Sequence, residues 1–300
     1  MMKDGPILCL VGWWPEGKSV AGIFIREHVL AIAGQRPVEV VYTVVEKGHL
    51  PWPTTAYTTS KEDGLTIHRI VIRTPVRRFG IPDILVRRAY ARLFERISRP
   101  ALIHIHVRTA ETAQATRLAR ARHIPVVVTE HNSFYHLGIH ALPPAAQAAE
   151  RKAIQRWFAD PNIGSVMPVS EDLGRVLVNG YGVPRNLITV IPNVAADVFH
   201  PGANPDLKSF RILLAAVWRP PKDHDVFIRA MSLLPIQLQR SCVVEWAGDG
   251  PDMVIIKKRC ATELPGWDIR FPGLLSKAAM ADAMRMAQLF VLPTTADNLP

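Results

Sequence analysis

The chain has 300 residues, 48% of them hydrophobic, and a formal net charge of +10. That length gives room for two domains with real cores, while no apolar run is long enough to span a bilayer. Cys9, Cys242 and Cys260 are scattered without a C-x-x-C, which reads as buried reduced thiols in a cytosolic protein rather than a disulfide framework. The opening MMKDGPILCLVGWW lacks the form of a signal peptide, because Asp4 follows Lys3 and the apolar stretch is short.

Short apolar runs alternate with helical patterns along the whole chain. Residues 7–12 read as a strand. A loop at 13–21, rich in small and turn residues, leads to a helix at 22–33. Strands at 38–45 and 65–72 precede a helix at 83–98. Then come a strand at 101–106, a helix at 109–122, a strand at 125–130 and a helix at 145–158. A strand at 166–169, a helix at 171–181 and a strand at 187–191 lead to Pro192-Asn193. Residues 193–209 hold Pro201, Gly202 and Pro205, lack periodicity and read as a linker. A second series follows: strand 210–217, helix 226–234, strand 243–247, helix 253–262, strand 268–271. A helix at 276–287 carries Met280, Met284 and Ala287 on one face, and a strand at 289–292 ends at Pro293. The rhythm implies right-handed βαβ crossovers and an α/β fold of two doubly wound parallel sheets. The expected domains are 1–195 and 210–300, with a hinge at 196–209.

The charge is uneven. Residues 1–200 hold 24 basic and 16 acidic side chains, against 12 and 10 in 201–300. Nine arginines lie between Arg69 and Arg99, opposed only by Asp83 and Glu95. On the helix at 83–98, Val86, Tyr90, Leu93 and Ile97 line one side, and Arg88, Arg92, Arg96 and Arg99 another. Such a stripe suits an anionic membrane, or is an ordinary solvated face. Nucleic-acid binding is not expected: the basic part has no interleaved aromatics on a sheet and no reader motif.

His104 and His106 alternate on a strand and so share a face, with His131 at the end of the next strand. A metal cluster on these three is one reading. No Asp, Glu or Cys close in sequence completes it, which leaves structural or substrate-lining histidines as the other. Thr129-Glu130-His131-Asn132 closes the strand at 125–130, where open parallel sheets take ligands; a capping or core histidine is the plainer alternative. Ser170 before Glu171 and Asp172 fits a helix N-cap. In the second series, Trp218-Arg219-Pro220-Pro221-Lys222 follows a strand. Asp223-His224-Asp225 has the look of a D-x-D metal motif but lies at a helix start, where Asp is favoured. Gly248-Asp249-Gly250-Pro251 is neither G-x-G-x-x-G nor a Walker loop. Phe271-Pro272-Gly273-Leu274 follows a later strand, and Asp297 stands after the last one.

In this order and spacing, these motifs resemble the retaining GT-B glycosyltransferases of family 4 over nearly the whole chain. The resemblance implies two Rossmann-like domains facing a cleft. A nucleotide-diphosphate-sugar donor would lie mainly on the second domain and an acceptor on the first: a glycan, a lipid-linked molecule or a small molecule. No metal or other cofactor is implied. Gly22 would let the donor diphosphate approach backbone amides, though many members have two adjacent glycines where this chain has Ala21-Gly22. Lys222 would clamp the diphosphate with Arg219, which is displaced from the family's usual position, here Val217. His131 would contact the donor sugar or the acceptor. Gly248, Gly250, Phe271, Gly273 and Leu274 would line the nucleotide. Asp297 stands where the first Glu of an E-x(7)-E motif usually stands. The second carboxylate would fall beyond Pro300, so the resemblance also implies a chain truncated at its C-terminus. Such an enzyme is expected in the cytoplasm, with peripheral contact at the inner membrane face through the basic helix. A sugar-nucleotide epimerase of the same fold and a non-catalytic relative are the alternatives.

Overall fold

Runs of Val, Ile and Leu flanked by amphipathic helices assemble into two sheets in the computed structural model, which describes residues 5–17, 20–76, 80–202 and 209–298. Residues 203–208 of the expected linker, Arg77 and Arg78 of the basic stretch, and Leu299 and Pro300 lie outside the described residues. No helix among the described residues is long and apolar enough to cross a membrane. The chain divides into two units, Met1–Val194 and Ala195–Asn298.

The first unit runs β1 (Ile7–Val11), α1 (Ile23–Ala33), β2 (Val38–Lys47), β3 (Thr54–Glu62), β4 (Leu65–Thr74), α2 (Ile81–Phe94), β5 (Leu102–His106), α3 (Ala115–Ala121), β6 (Val126–Glu130), α4 (Pro144–Phe158), β7 (Ile163–Pro168) and α5 (Glu171–Tyr181). The sheet order is β3-β4-β2-β1-β5-β6-β7, parallel throughout except for the β3–β4 pair. Every residue of β1 is buried, as expected of a parallel strand covered on both faces. Leu8 and Leu10 join the core under α2, α3 and α5. Ile7, Cys9 and Val11 join the core under α1. Ser170 caps α5 by accepting the Leu173 amide at 3.2 Å.

Three elements differ from the sequence expectation. β3 forms an antiparallel hairpin with β4 through Asp63-Gly64, both at positive φ (49° and 80°). The expected helix at 109–122 starts late: Thr109 and Thr112 bond each other's backbone amides and hold a 3-10 turn at Thr112–Gln114 before α3. The expected strand at 187–191 is a single parallel bridge, Val166↔Ile188. Thr189 and Ile191 donate to the carbonyls of Val166 and Pro168, both at 3.0 Å. Pro168 has no N–H to return, so the ladder stops there.

On α2, Val86, Ala89, Tyr90 and Leu93 are buried. Arg88 and Arg92 are exposed. Arg96 lies over the Tyr57 ring at 5.3 Å, and Arg99 donates to the Arg122 carbonyl at 2.7 Å. Most of the apolar side of the helix is therefore spent in the core, and its outward face offers Arg88 and Arg92 with exposed Ile84 one turn before them.

The second unit runs β8 (Phe210–Val217), α6 (His224–Ser232), α7 (Ile236–Gln239), β9 (Cys242–Asp249), α8 (Met253–Glu263), β10 (Asp268–Gly273), α9 (Lys277–Met286) and β11 (Leu289–Phe290). Its sheet is wholly parallel, in the order β10-β9-β8-β11. Trp218 and Trp246, both fully buried, form the centre of its core with Phe227, Ile228 and Ile256. The turn from β9 to α8 lies tight against the end of β8. Gly248 has φ 99°, and a Cβ there would stand 1.9 Å from the Ala216 carbonyl oxygen. At Gly250 it would stand 2.3 Å from the Trp218 carbonyl oxygen. Gly248→Ala should therefore destabilise the second unit by at least about 2 kcal/mol. Urea unfolding followed by tryptophan fluorescence will measure this, and an unchanged midpoint would contradict the close approach.

Candidate functional site

β1 lies between β2 and β5 in the first sheet, so the connections leave it in opposite directions and its carboxyl end is a topological switch point. Gly22 closes the loop that follows β1 and caps α1 in the left-handed region, at φ 80°. A Cβ there would lie 2.7 Å from both the carbonyl carbon and oxygen of Trp13, so only glycine fits.

β5 pairs with β1 in a register that sets His104 beside Cys9 and His106 beside Val11. Both histidines therefore face α1, which contributes His28, and His131 joins them from the end of β6. Ring centroids are 5.3 Å apart for His28–His131, 5.9 Å for His28–His106 and 5.9 Å for His106–His131. His104 lies 4.0 Å from His106, and its Nε2 is 2.7 Å from Thr129 Oγ1. Phe24 packs on His131 at 4.8 Å. All four imidazoles are buried. Burial, reinforced by mutual repulsion, pushes His104 and His131 down to about 3 and His106 well below its ordinary value. Burial also lowers His28, against an opposing hydrogen bond from Asn193. These rings are neutral at physiological pH. A neutral imidazole can exchange a hydrogen bond with a hydroxyl but brings no positive charge to a phosphate.

Sequence reasoning missed two residues here. His28 shares the buried stripe of α1 with Ile25 and Val29, and that apolar spacing was its only signal. Glu130 is fully buried and its Oε1 accepts the Arg108 amide at 2.7 Å. Burial pushes its carboxyl up to about 8, with Arg108 and the Tyr135 hydroxyl opposing.

In the second unit, the carboxyl ends of all four parallel strands share one edge, and the sequence-expected residues gather there. Lys222 forms an ion pair with Asp297. The loop carrying Lys222 is held to the segment after β11: the Asp223 amide donates to Pro293 O and the Thr295 amide to Pro221 O, both at 3.0 Å. Trp218 anchors the same loop, with Nε1 donating to Ala247 O at 2.7 Å, and its amide donates to Asp249 O at 2.9 Å. Arg219 projects from this loop and is exposed. Gly248 and Gly250 form the neighbouring turn. Phe271 stacks on Trp246 at 6.2 Å under Lys257 Nζ. It also lines a cavity of about 340 Å³ with Glu245, Arg270, Pro272 and Ala279. Gly273 sits at φ 75° and Leu274 is exposed. Asp223 caps α6 by accepting the Val226 amide at 3.1 Å, and Asp225 pairs with Arg259, so both carboxylates of the D-x-D sequence have structural partners.

Residues 28–195 match the family model described as Glycosyltransferase Family 4. No curated protein sequence matches the chain. Among solved structures, the chain is similar to a glycosyltransferase from Rickettsia africae ESF-5, at 13% identity and TM-score 0.62, over 97% of this chain and 74% of that one. It is also similar to an α,α-trehalose-phosphate synthase (UDP-forming) from Burkholderia xenovorans in complex with glucose-6-phosphate, at 10% identity and TM-score 0.65, over 99% and 81%. A third is a UDP-GlcNAc 2-epimerase from Neisseria meningitidis bound to UDP-GlcNAc, at 13% identity and TM-score 0.58, over 95% and 76%. At these identities the likeness establishes the fold, two Rossmann-like α/β units with parallel sheets.

Glu130 supplies a pH test of this part of the chain. Folded, its carboxyl stays protonated up to about pH 8; unfolded, it ionises near 4.5. Between those values the folded state holds the extra proton, so this group's stabilising contribution falls as pH rises and levels off above about 8. Glu130→Gln has no such titration. The variant should gain on the wild type from pH 5 to 8, reaching on the order of a few kcal/mol. The buried histidines titrate in both proteins and cancel in the difference. Urea midpoints at several pH values will show it, and a pH-independent difference would contradict the assignment.

Proposed function

Because the chain belongs to Glycosyltransferase Family 4, we propose that it moves a sugar from a nucleotide-diphosphate-sugar donor to an acceptor with retention of anomeric configuration. The observation that carries this reading is the Lys222–Asp297 ion pair at the carboxyl edge of four parallel strands. It stands next to a turn in which only glycine fits at positions 248 and 250.

Negative charge builds on the leaving diphosphate as the glycosidic bond breaks, and a fixed cation stabilises it. Lys222 takes that role by exchanging Asp297 for the diphosphate, with Arg219 as a second cation in the same loop. Asp297, released, accepts hydrogen bonds from the sugar hydroxyls. Gly248, Gly250, Phe271, Gly273 and Leu274 surround the nucleotide. Gly22 lets a diphosphate oxygen approach backbone amides on the first unit, and His131 orients a sugar or acceptor hydroxyl as a neutral hydrogen-bonding partner. With leaving-group stabilisation dominant, the transfer needs neither a protein nucleophile nor a metal ion. The acceptor is a glycan, a lipid-linked molecule or a small molecule, in polysaccharide or glycolipid assembly in the cytoplasm.

Incubation with labelled sugar nucleotides, with and without a lipid extract, tests the reading. A transferase yields a labelled acceptor and a nucleoside diphosphate. An altered sugar nucleotide formed without acceptor would favour an epimerase instead. Lys222→Ala should lower turnover by about two to three orders of magnitude; a variant within twofold of wild type would remove Lys222 from the mechanism. Peripheral contact with an anionic membrane through α2 is a further part of the proposal. Arg88, Arg92 and Arg96 should each contribute roughly 1 kcal/mol at low salt. Changing all three to Glu should abolish sedimentation with anionic vesicles, and unchanged sedimentation, or none in the wild type, would leave the stripe as a solvated face.

A further inference from the structure

We propose that His28, His106 and His131 form a binding site for a divalent transition-metal ion, with Zn²⁺ the best match. The three residues come from three elements, the middle of α1, the end of β5 and the end of β6. Each offers an imidazole nitrogen, and these atoms all lie within 4.8 Å of one another. An ion bonded at about 2.1 Å to a ring nitrogen sits about 3.2 Å from the ring centre, so tetrahedral coordination places ring centres about 5.2 Å apart. The observed separations are 5.3, 5.9 and 5.9 Å. The same bonds set the nitrogens about 3.4 Å apart, so the rings must rotate on binding to draw in from the present separation of up to 4.8 Å.

Two of the three residues also carry ring nitrogens that lack a hydrogen bond. Nε2 of His28 and both ring nitrogens of His106 are buried without a hydrogen bond, although buried polar atoms normally have one. An all-imidazole donor set selects Zn²⁺, Co²⁺, Ni²⁺ or Cu²⁺ over Mg²⁺ and Ca²⁺, which need oxygen. His28 and His131 are 8% and 7% exposed and His106 is 0%, so the ion enters past the first two and a fourth position faces the entrance. A second grouping, Cys9 with His104 and His106, is the poorer site. Burial pushes the Cys9 thiol up to about 12, and His104 Nε2 is already bonded to Thr129 Oγ1. His131 also orients a hydroxyl in the transfer step proposed above; bonded to the ion through one ring nitrogen, it keeps the other for that role, and the ion's binding does not depend on that reading.

The full chain, stripped by chelator, is titrated with Co²⁺ and then Zn²⁺. The expected result is the strong visible absorption of tetrahedral Co²⁺, one ion per chain by mass spectrometry, and displacement by Zn²⁺. X-ray absorption on the Zn²⁺ form should show three imidazoles. His28→Gln and His106→Phe should each weaken binding at least about tenfold, while Cys9→Ala and the exposed His140→Ala should leave it unchanged. Should His106→Phe fail to fold, His28→Gln at the entrance and X-ray absorption on the unaltered chain decide the matter. Absent tetrahedral absorption, fewer than three imidazoles, or undiminished binding by His28→Gln would overturn the site. Loss of binding in Cys9→Ala would move the ion to the second grouping and overturn it equally.

Discussion

The burial of β1 on both faces is the constraint from which the first unit follows. A parallel strand with no exposed residue must be covered by helices above and below. Side-chain alternation then sorts the neighbouring strands into two sets. Ile103 and Ile105 of β5 enter the core under α2, α3 and α5. His104 and His106, one residue out of phase, are turned towards α1 and His28. Sheet register alone therefore brings imidazoles together at the switch point, and the same burial that collects them removes their charge.

The second unit solves a similar problem with opposite electrostatics. Its site residues also stand at the carboxyl ends of parallel strands, but on loops that reach solvent. Lys222 and Asp297 keep 16% and 28% of their side-chain surface exposed, enough hydration to carry charge. Both glycines of the β9–α8 turn serve the same loop, because the backbone of Ala216 occupies the space a Cβ would need at Gly248 and that of Trp218 the space it would need at Gly250. Packing of apolar Trp218 thus determines where charged Lys222, four residues further along the same loop, can stand. Buried imidazoles thus mark the switch point of the first unit, and a partly exposed ion pair marks the carboxyl edge of the second.

Much of this was legible in the sequence because it rests on periodicity. The βα rhythm, the carboxyl-end positions of His131 and Lys222, and the Ser170 cap follow from local patterns. β3 escaped because TTAYTTSKE is a half-exposed edge strand with little apolar content, although Asp63-Gly64 is the turn signal of a two-residue hairpin. The strand expected at 187–191 failed for a reason in its partner: Pro168 lacks the N–H that pairing requires. His28 escaped because its place on an apolar stripe is its only local mark, and Glu130 because nothing local foretells its burial. Their surroundings come from β5, β6 and the loop at Arg108, distant in sequence, and only the assembled sheet shows what burial does to them.

The strength of the Lys222–Asp297 pair decides how the second site can work. A partly exposed ion pair contributes at most about 1 kcal/mol to stability. Asp297 can therefore leave Lys222 for a ligand at little expense to the fold, whose hold on this loop comes from Trp218 Nε1 and from the amides of Asp223 and Thr295. A diphosphate carries more charge than one carboxylate and competes well for the same ammonium group. A deeply buried pair would behave differently, since separating it leaves an uncompensated charge. The loop is thus fixed by backbone hydrogen bonds while its cation is held by an exchangeable partner, which keeps Lys222 in position and available at once.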